Sequence, residues 1–139
     1  MSTSISPAAT AAGVTGTDTH IVERAAVVVA LGGIALVHLL DVEDRLTEVP
    51  YIGYLFSALI VVSLILAGVL MRSDDRRAWA AAGLVAGATI VGYIVTRTVG
   101  MPNDEGADIG NWTEPLGLAS LLVEGIVVVL VVSRLSSRD

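Results

Sequence analysis

Apolar positions along this chain neither alternate nor fall in one helical stripe; they gather in four nearly continuous blocks, at 22–40, 51–71, 78–99 and 115–133. Each block is roughly 19 to 22 residues long, enough for an α-helix to cross a hydrocarbon core of about 30 Å. Backbone polar groups cannot face lipid unpaired, and the blocks are too long and unbroken for barrel strands, so each predicts a helix. The gaps between them, about ten, six and fifteen residues, are short enough to make consecutive helices antiparallel neighbours. The predicted fold is an all-α membrane protein, a bundle of four transmembrane helices over 21–139. The first twenty residues, MSTSISPAATAAGVTGTDTH, are small and polar without an apolar period and predict a disordered tail. No short basic stretch precedes the first block, so that segment is expected to be retained rather than cleaved as a signal peptide.

Composition agrees: 54% of the 139 residues are hydrophobic and 16% charged, against about 25% charged in soluble domains. All eight basic residues are Arg, and fourteen Asp and Glu bring the net charge to -6. Nucleic acid is therefore excluded as a partner, because phosphate binding needs clustered cations. With no cysteine, disulfides, thiolate metal sites and thiol nucleophiles are excluded too.

The arginines orient the bundle. Arg24, Arg72, Arg76, Arg77, Arg134 and Arg138 fall on one side and only Arg45 and Arg97 on the other, which by the positive-inside rule predicts a multi-pass plasma-membrane protein with both termini cytoplasmic. The gaps DVEDRLTEVP and MPNDEGADIGNWTEP then form a strongly acidic outer face. Tyr51, Tyr54, Trp79 and Trp112 fall near block ends, where amphipathic rings anchor to membrane interfaces, and Pro50 and Pro115 stand where helices begin. Beyond the lipid bilayer itself, Gly83 and Gly87 offer a G-x-x-x-G packing face to another helix, of this chain, of a second copy or of another membrane protein.

Chemistry is expected from the few ionisable residues inside the blocks, because a charge at membrane depth costs about 2.5–3.5 kcal/mol on insertion scales. Glu124 lies about nine residues into the fourth block, roughly 13 Å deep. His38 and Arg97 lie within a turn of the outer ends of the first and third. Helical spacing groups Thr89, Tyr93 and Arg97 on the third helix, Gly117, Ser120 and Glu124 on the fourth, and His38 with Asp41 on the first. Turned inward, these stripes make an outer polar cluster of His38, Asp41, Tyr54, Ser57, Tyr93, Arg97, Ser120 and Glu124. The third gap carries Asp108, Trp112 and Glu114 and is expected either to connect helices or to fold over the cluster as a lid, with Thr113 capping the fourth helix. His38 and Asp41 are too sparse for a metal site, and His20 stands about 27 Å from His38 on a continuous helix, too far for both to hold one haem. No cofactor and no catalytic residue is expected.

The run YIVTRTVGMPNDEGADIGNWTEPLGLASLLVEG, from Tyr93 to Gly125, resembles a family of small prokaryotic four-helix integral membrane proteins with no assigned activity. Its Arg97-Thr98-Val99-Gly100 turn with Pro102, then Asn111-Trp112, Glu114-Pro115-Leu116-Gly117 and Glu124, carry the likeness, which extends loosely to the histidine-bearing first helix and VPYIGYLF. The resemblance implies four spans and adds no reaction. Small multidrug exporters share the plan and a membrane carboxylate, but theirs is in the first helix, so that likeness is architectural only. Two functions stay open: a non-enzymatic structural or accessory membrane component, or a proton-coupled transporter or binder of a small ligand or cation using Glu124, Arg97 and His38.

Overall fold

The structure, a computed structural model, describes residues 7–103, 105–106 and 108–137. Among the described residues it is four helices without a strand: α1 Pro7–Glu48, α2 Pro50–Arg72, α3 Arg76–Thr98 and α4 Pro115–Ser136. Each is long and apolar enough to cross a membrane. Each packs on its chain neighbours and α4 closes back on α1; α1 and α2 touch most extensively and α2 and α3 least. Buried residues make up at most 33% of the most apolar stretch of any span, and outward-facing positions such as Val29, Leu84 and Leu122 are apolar and exposed. A surface of that kind suits hydrocarbon, and the chain is a multi-pass membrane protein.

The α2–α3 end of the bundle holds the packed core. Leu31 and Ile34 of α1, Leu70 of α2, Trp79 of α3 and Val127 of α4 meet there, all nearly inaccessible. Trp79 is 1% exposed and its indole N–H donates to Asp74 Oδ1 at 2.7 Å. It is thus a core residue and not the interface anchor that its position near a block end predicts. Gly83 packs inside the chain: a Cβ there would lie 2.7 Å from Val131 Cγ1 of α4, whereas one at Gly87 would meet nothing within 4 Å.

Helix ends depart from hydropathy in an instructive way. The ten-residue gap expected after the first block is almost all helix, since α1 continues to Glu48 and Val49 alone separates it from α2. Asp41 and Arg45 pair at i, i+4, with 3.1 Å between Oδ2 and Nε, and Arg45 reaches Glu48 at 3.9 Å; such pairs hold a polar helix together. Pro50 then ends one helix and starts the next, because its ring blocks continuation and its missing N–H costs nothing at N1. At the other end α1 begins at Pro7, within the segment expected to be a tail; residues 1–6 lie outside the described residues.

So tight a hairpin needs a glycine. A Cβ on Gly53 would lie 2.7 Å from Leu46 Cα, which is backbone and cannot swing aside. Gly53→Ala is expected to destabilise the protein by about 1–3 kcal/mol through overpacking, measured by thermal unfolding in phosphatidylcholine nanodiscs. Gly68→Ala is the control, since its Cβ would meet only Arg72 Nη1 at 3.6 Å; equal effects at the two sites would refute the close-approach argument.

Candidate functional site

Where the α1–α2 and α3–α4 connections lie, the bundle opens into a cavity of about 440 Å³ bounded by all four helices and the 99–114 loop. Small residues on α3 make the room: Ala88 and Gly92 face it, and a Cβ at Gly92 would meet nothing within 4 Å. Leu55, Phe56, Leu59 and Val62 of α2 supply apolar walls.

Glu124 lies deepest along α4 of the lining residues, one turn before the buried Val127. It is 1% exposed. Its Oε1 accepts from Ser120 Oγ at 2.6 Å, a turn earlier on the same face of α4, and Oε2 is buried without a hydrogen-bond partner. An unsatisfied buried polar oxygen costs about 1–3 kcal/mol. Close to it stand His38 and Thr89. His38 Nδ1 donates to the Ile34 carbonyl at 2.9 Å, which leaves Nε2 as the acceptor of the neutral ring. Phe56 meets that ring edge-on, with 4.7 Å between centroids. The Thr89 hydroxyl donates back to the Ala86 carbonyl at 2.8 Å.

Over the cavity runs a chain of ion pairs. Arg45 bridges Asp41 and Asp108, the latter at 3.3 Å, and Arg97 bridges Asp108 at 3.1 Å and Glu114 at 3.8 Å. Arg97 is 5% exposed and stacks over the Tyr93 ring at 4.7 Å, with its Nε buried and unpartnered. The loop is also sewn down by neutral bonds. Tyr51 donates to the Pro102 carbonyl at 2.6 Å, Tyr93 to the Trp112 carbonyl at 3.0 Å, and the Gly110 N–H to the Arg97 carbonyl at 2.9 Å. Gly100, at φ 79, turns the chain out of α3 into this loop, a left-handed conformation that glycine adopts without strain.

No family model, curated protein or solved structure matches this chain. Its site is therefore read from its own geometry. His38, Asp41, Tyr93, Arg97, Ser120 and Glu124, which helical spacing predicts to face one another, all line the cavity, and so do Asp108 and Glu114 of the loop. Trp112 does not; it lies edge-on to Tyr93, 6.1 Å between centroids, and is partly exposed. Tyr54 is 69% exposed and Ser57 donates to the Gly53 carbonyl, so neither belongs to the cluster. Both sit off the α2 face that carries Leu55, Leu59 and Val62. The cap of α4 is Glu114 and not Thr113, because the helix starts at Pro115 and the carboxyl just before it accepts from Leu116 N at 2.8 Å and Gly117 N at 2.5 Å.

Arg97 spends its guanidinium on loop carboxylates, not on Glu124. Arg45 is the participant that hydropathy misses, since it lies beyond the apolar block; its signal was the spacing from Asp41 and Glu48. A second polar knot, also unforeseen, ties the α2–α3 end. Arg134 of α4 pairs with Asp74 of the α2–α3 connection, donates to His20 Nδ1 of α1 at 2.6 Å, and lies 6.0 Å from the Trp79 ring of α3.

Proposed function

We propose that this is a non-enzymatic, multi-pass plasma-membrane protein that holds a small ligand in the outer half of its bundle, the ligand presenting a hydrogen-bond donor to Glu124. One observation carries the reading: Glu124, whose buried Oε2 has no hydrogen-bond partner, lines a cavity of about 440 Å³. A purely structural or accessory role accounts for the ion pairs that fasten the loop but gives neither the cavity nor that oxygen a purpose. Sites for small molecules have this make-up, mostly apolar walls with a few convergent polar groups. The packed core beneath Glu124 supports binding over conduction, since a transported molecule would have to part Leu31, Leu70, Trp79 and Val127. Arginine placement supports cytoplasmic termini, with the acidic connections and the site outside. Membership of the family of four-helix membrane proteins that the TRTVGMP and NWTEPLGLAS stretches resemble is part of the same proposal.

A thermal-shift panel of small amines, amides and alcohols on the protein in phosphatidylcholine nanodiscs tests it. A ligand at a hundredfold its Kd stabilises the folded form by about 2.7 kcal/mol, so an active probe raises Tm by several degrees. Glu124→Gln is expected to keep the Ser120 bond and the unliganded Tm while losing most of that rise. If no member of the panel shifts the wild type, the binding reading fails.

A further inference from the structure

Access to the cavity is lopsided. Its lining residues on α1, on α4 and in the loop are buried or half-buried, whereas the exposed ones, Leu55, Ala58 and Val62 on α2 and Ala88 on α3, all border a single seam. That seam is also the thinnest contact between neighbouring helices. The loop, in contrast, is held over the aqueous end by the Arg45–Asp108–Arg97–Glu114 ion pairs and by the Tyr51 and Tyr93 hydroxyls. Water-side entry requires breaking those bonds, while entry from the side breaks none of them and passes between apolar or small residues. Because α2 and α3 present this seam on the lipid-facing surface, the side door opens on hydrocarbon.

Charge at the site narrows what comes through it. Four carboxylates line the cavity, Asp41, Asp108, Glu114 and Glu124, against two guanidiniums, those of Arg45 and Arg97. Carboxylates in the lining outnumber guanidiniums by two, so that even a further positive charge on the His38 imidazole, which also lines it, leaves it net negative with Glu124 ionised. An anion is disfavoured at such a site, and a cation is drawn to it. The walls next to that negative end are apolar, and Glu124 Oε2 lacks a donor. We infer that the cavity takes a protonated amine with an apolar chain, which enters from the bilayer between α2 and α3, places its ammonium toward Glu124 and leaves its chain along Leu55, Leu59 and Val62. This inference rests on the binding function proposed above and adds to it the ligand class and the route.

Three probes in phosphatidylcholine nanodiscs separate the parts: dodecylamine, dodecanol at the same bilayer mole fraction, and butylamine at the same aqueous concentration. Dodecylamine is expected to raise Tm, and the other two to fall at least tenfold short in dose. Gly92→Leu fills open space at the seam and is expected to move the dodecylamine midpoint at least tenfold higher; Ala88→Trp, on the exposed rim of the same seam, is the second plug if the first variant does not fold. Leu122→Trp, an exposed position of α4 that does not line the cavity, is expected to change nothing. Repeating the titration with phosphatidylethanolamine in the disc identifies the source of the amine: competition assigns it to the membrane's own lipid, and an unchanged midpoint to a single-chain solute. If butylamine or dodecanol matches dodecylamine, or if neither plug moves the midpoint, the inference is overturned while the binding function stands. If none of the three probes nor any panel member shifts the wild type, the binding function itself falls.

Discussion

Arg97→Ala is expected to cost the protein about 3–5 kcal/mol and to free the 99–114 loop, the cost seen when one partner of a buried ion pair is removed and the other keeps its charge. Arg97 is 5% exposed and Asp108 14% on their side chains, so the central pair is screened little; the Glu114 pair, with the carboxylate 31% exposed, contributes less. The truncation also strips the cation from the Tyr93 ring and leaves Asp108 with Arg45 alone. Thermal unfolding in nanodiscs reads the stability, and limited proteolysis between Gly100 and Glu114 reads the loop. Arg97→Lys should recover part of the stability, because a single ammonium replaces the charge but not a planar fork that reaches two carboxylates. A loss under about 1 kcal/mol, the range of an exposed ion pair, together with unchanged proteolysis would mean that the loop is held by its backbone and tyrosine bonds.

At the opposite end, Arg134→Leu should loosen the bundle by about 1.5–3 kcal/mol, the worth of hydrogen bonds to a charged group, with the Asp74 share reduced because that carboxylate is a third exposed. The residue is 8% exposed and touches the other three helices or their connections through His20, Asp74 and Trp79. Leucine keeps much of the bulk and removes the donors, so the measured loss isolates the polar knot from packing. Two readouts check it: Tm, and the Trp79 emission maximum, which should shift red as water reaches a ring that is 1% exposed. An unchanged Tm and spectrum would show that the apolar core carries this end by itself.

Much of the architecture could be read without coordinates. Four long apolar blocks leave a bilayer-crossing chain no alternative to helices, and Glu124 and His38 stood out because a polar group inside such a block is costly unless it has partners. Helical spacing then placed Ser120 with Glu124 and Tyr93 with Arg97 on shared faces, and those faces do converge. Spacing fails on α2, where every residue that lines the cavity is apolar and the one fully buried polar side chain, Ser63, lies off it; polarity draws Tyr54 and Ser57 into the expected cluster, yet the wall is made by Leu55, Phe56, Leu59 and Val62. Hydropathy likewise misplaced the end of α1, because it reports where hydrocarbon stops and a polar helix can run on past that point on Asp41–Arg45–Glu48 pairing.

What the chain determined alone was its solvent, its four helices and, on α1, α3 and α4, which face is expensive to expose to lipid, since all three follow from local composition and a period of 3.6 residues. Partners across the bundle were decided only in three dimensions. Whether Arg97 would answer Glu124 or Asp108 depended on the path of the 99–114 loop, and whether Trp79 would anchor in lipid or fill the core depended on Asp74 and Arg134 arriving beside it. Arg134 and Asp74 stand 60 positions apart, and the same guanidinium's bond to His20 spans 114; no local rule of spacing or hydropathy reaches so far. The cavity is of the same kind: it exists because the small residues of α3 stand opposite a seam that α2 leaves loose, a mismatch between two surfaces that neither helix records by itself.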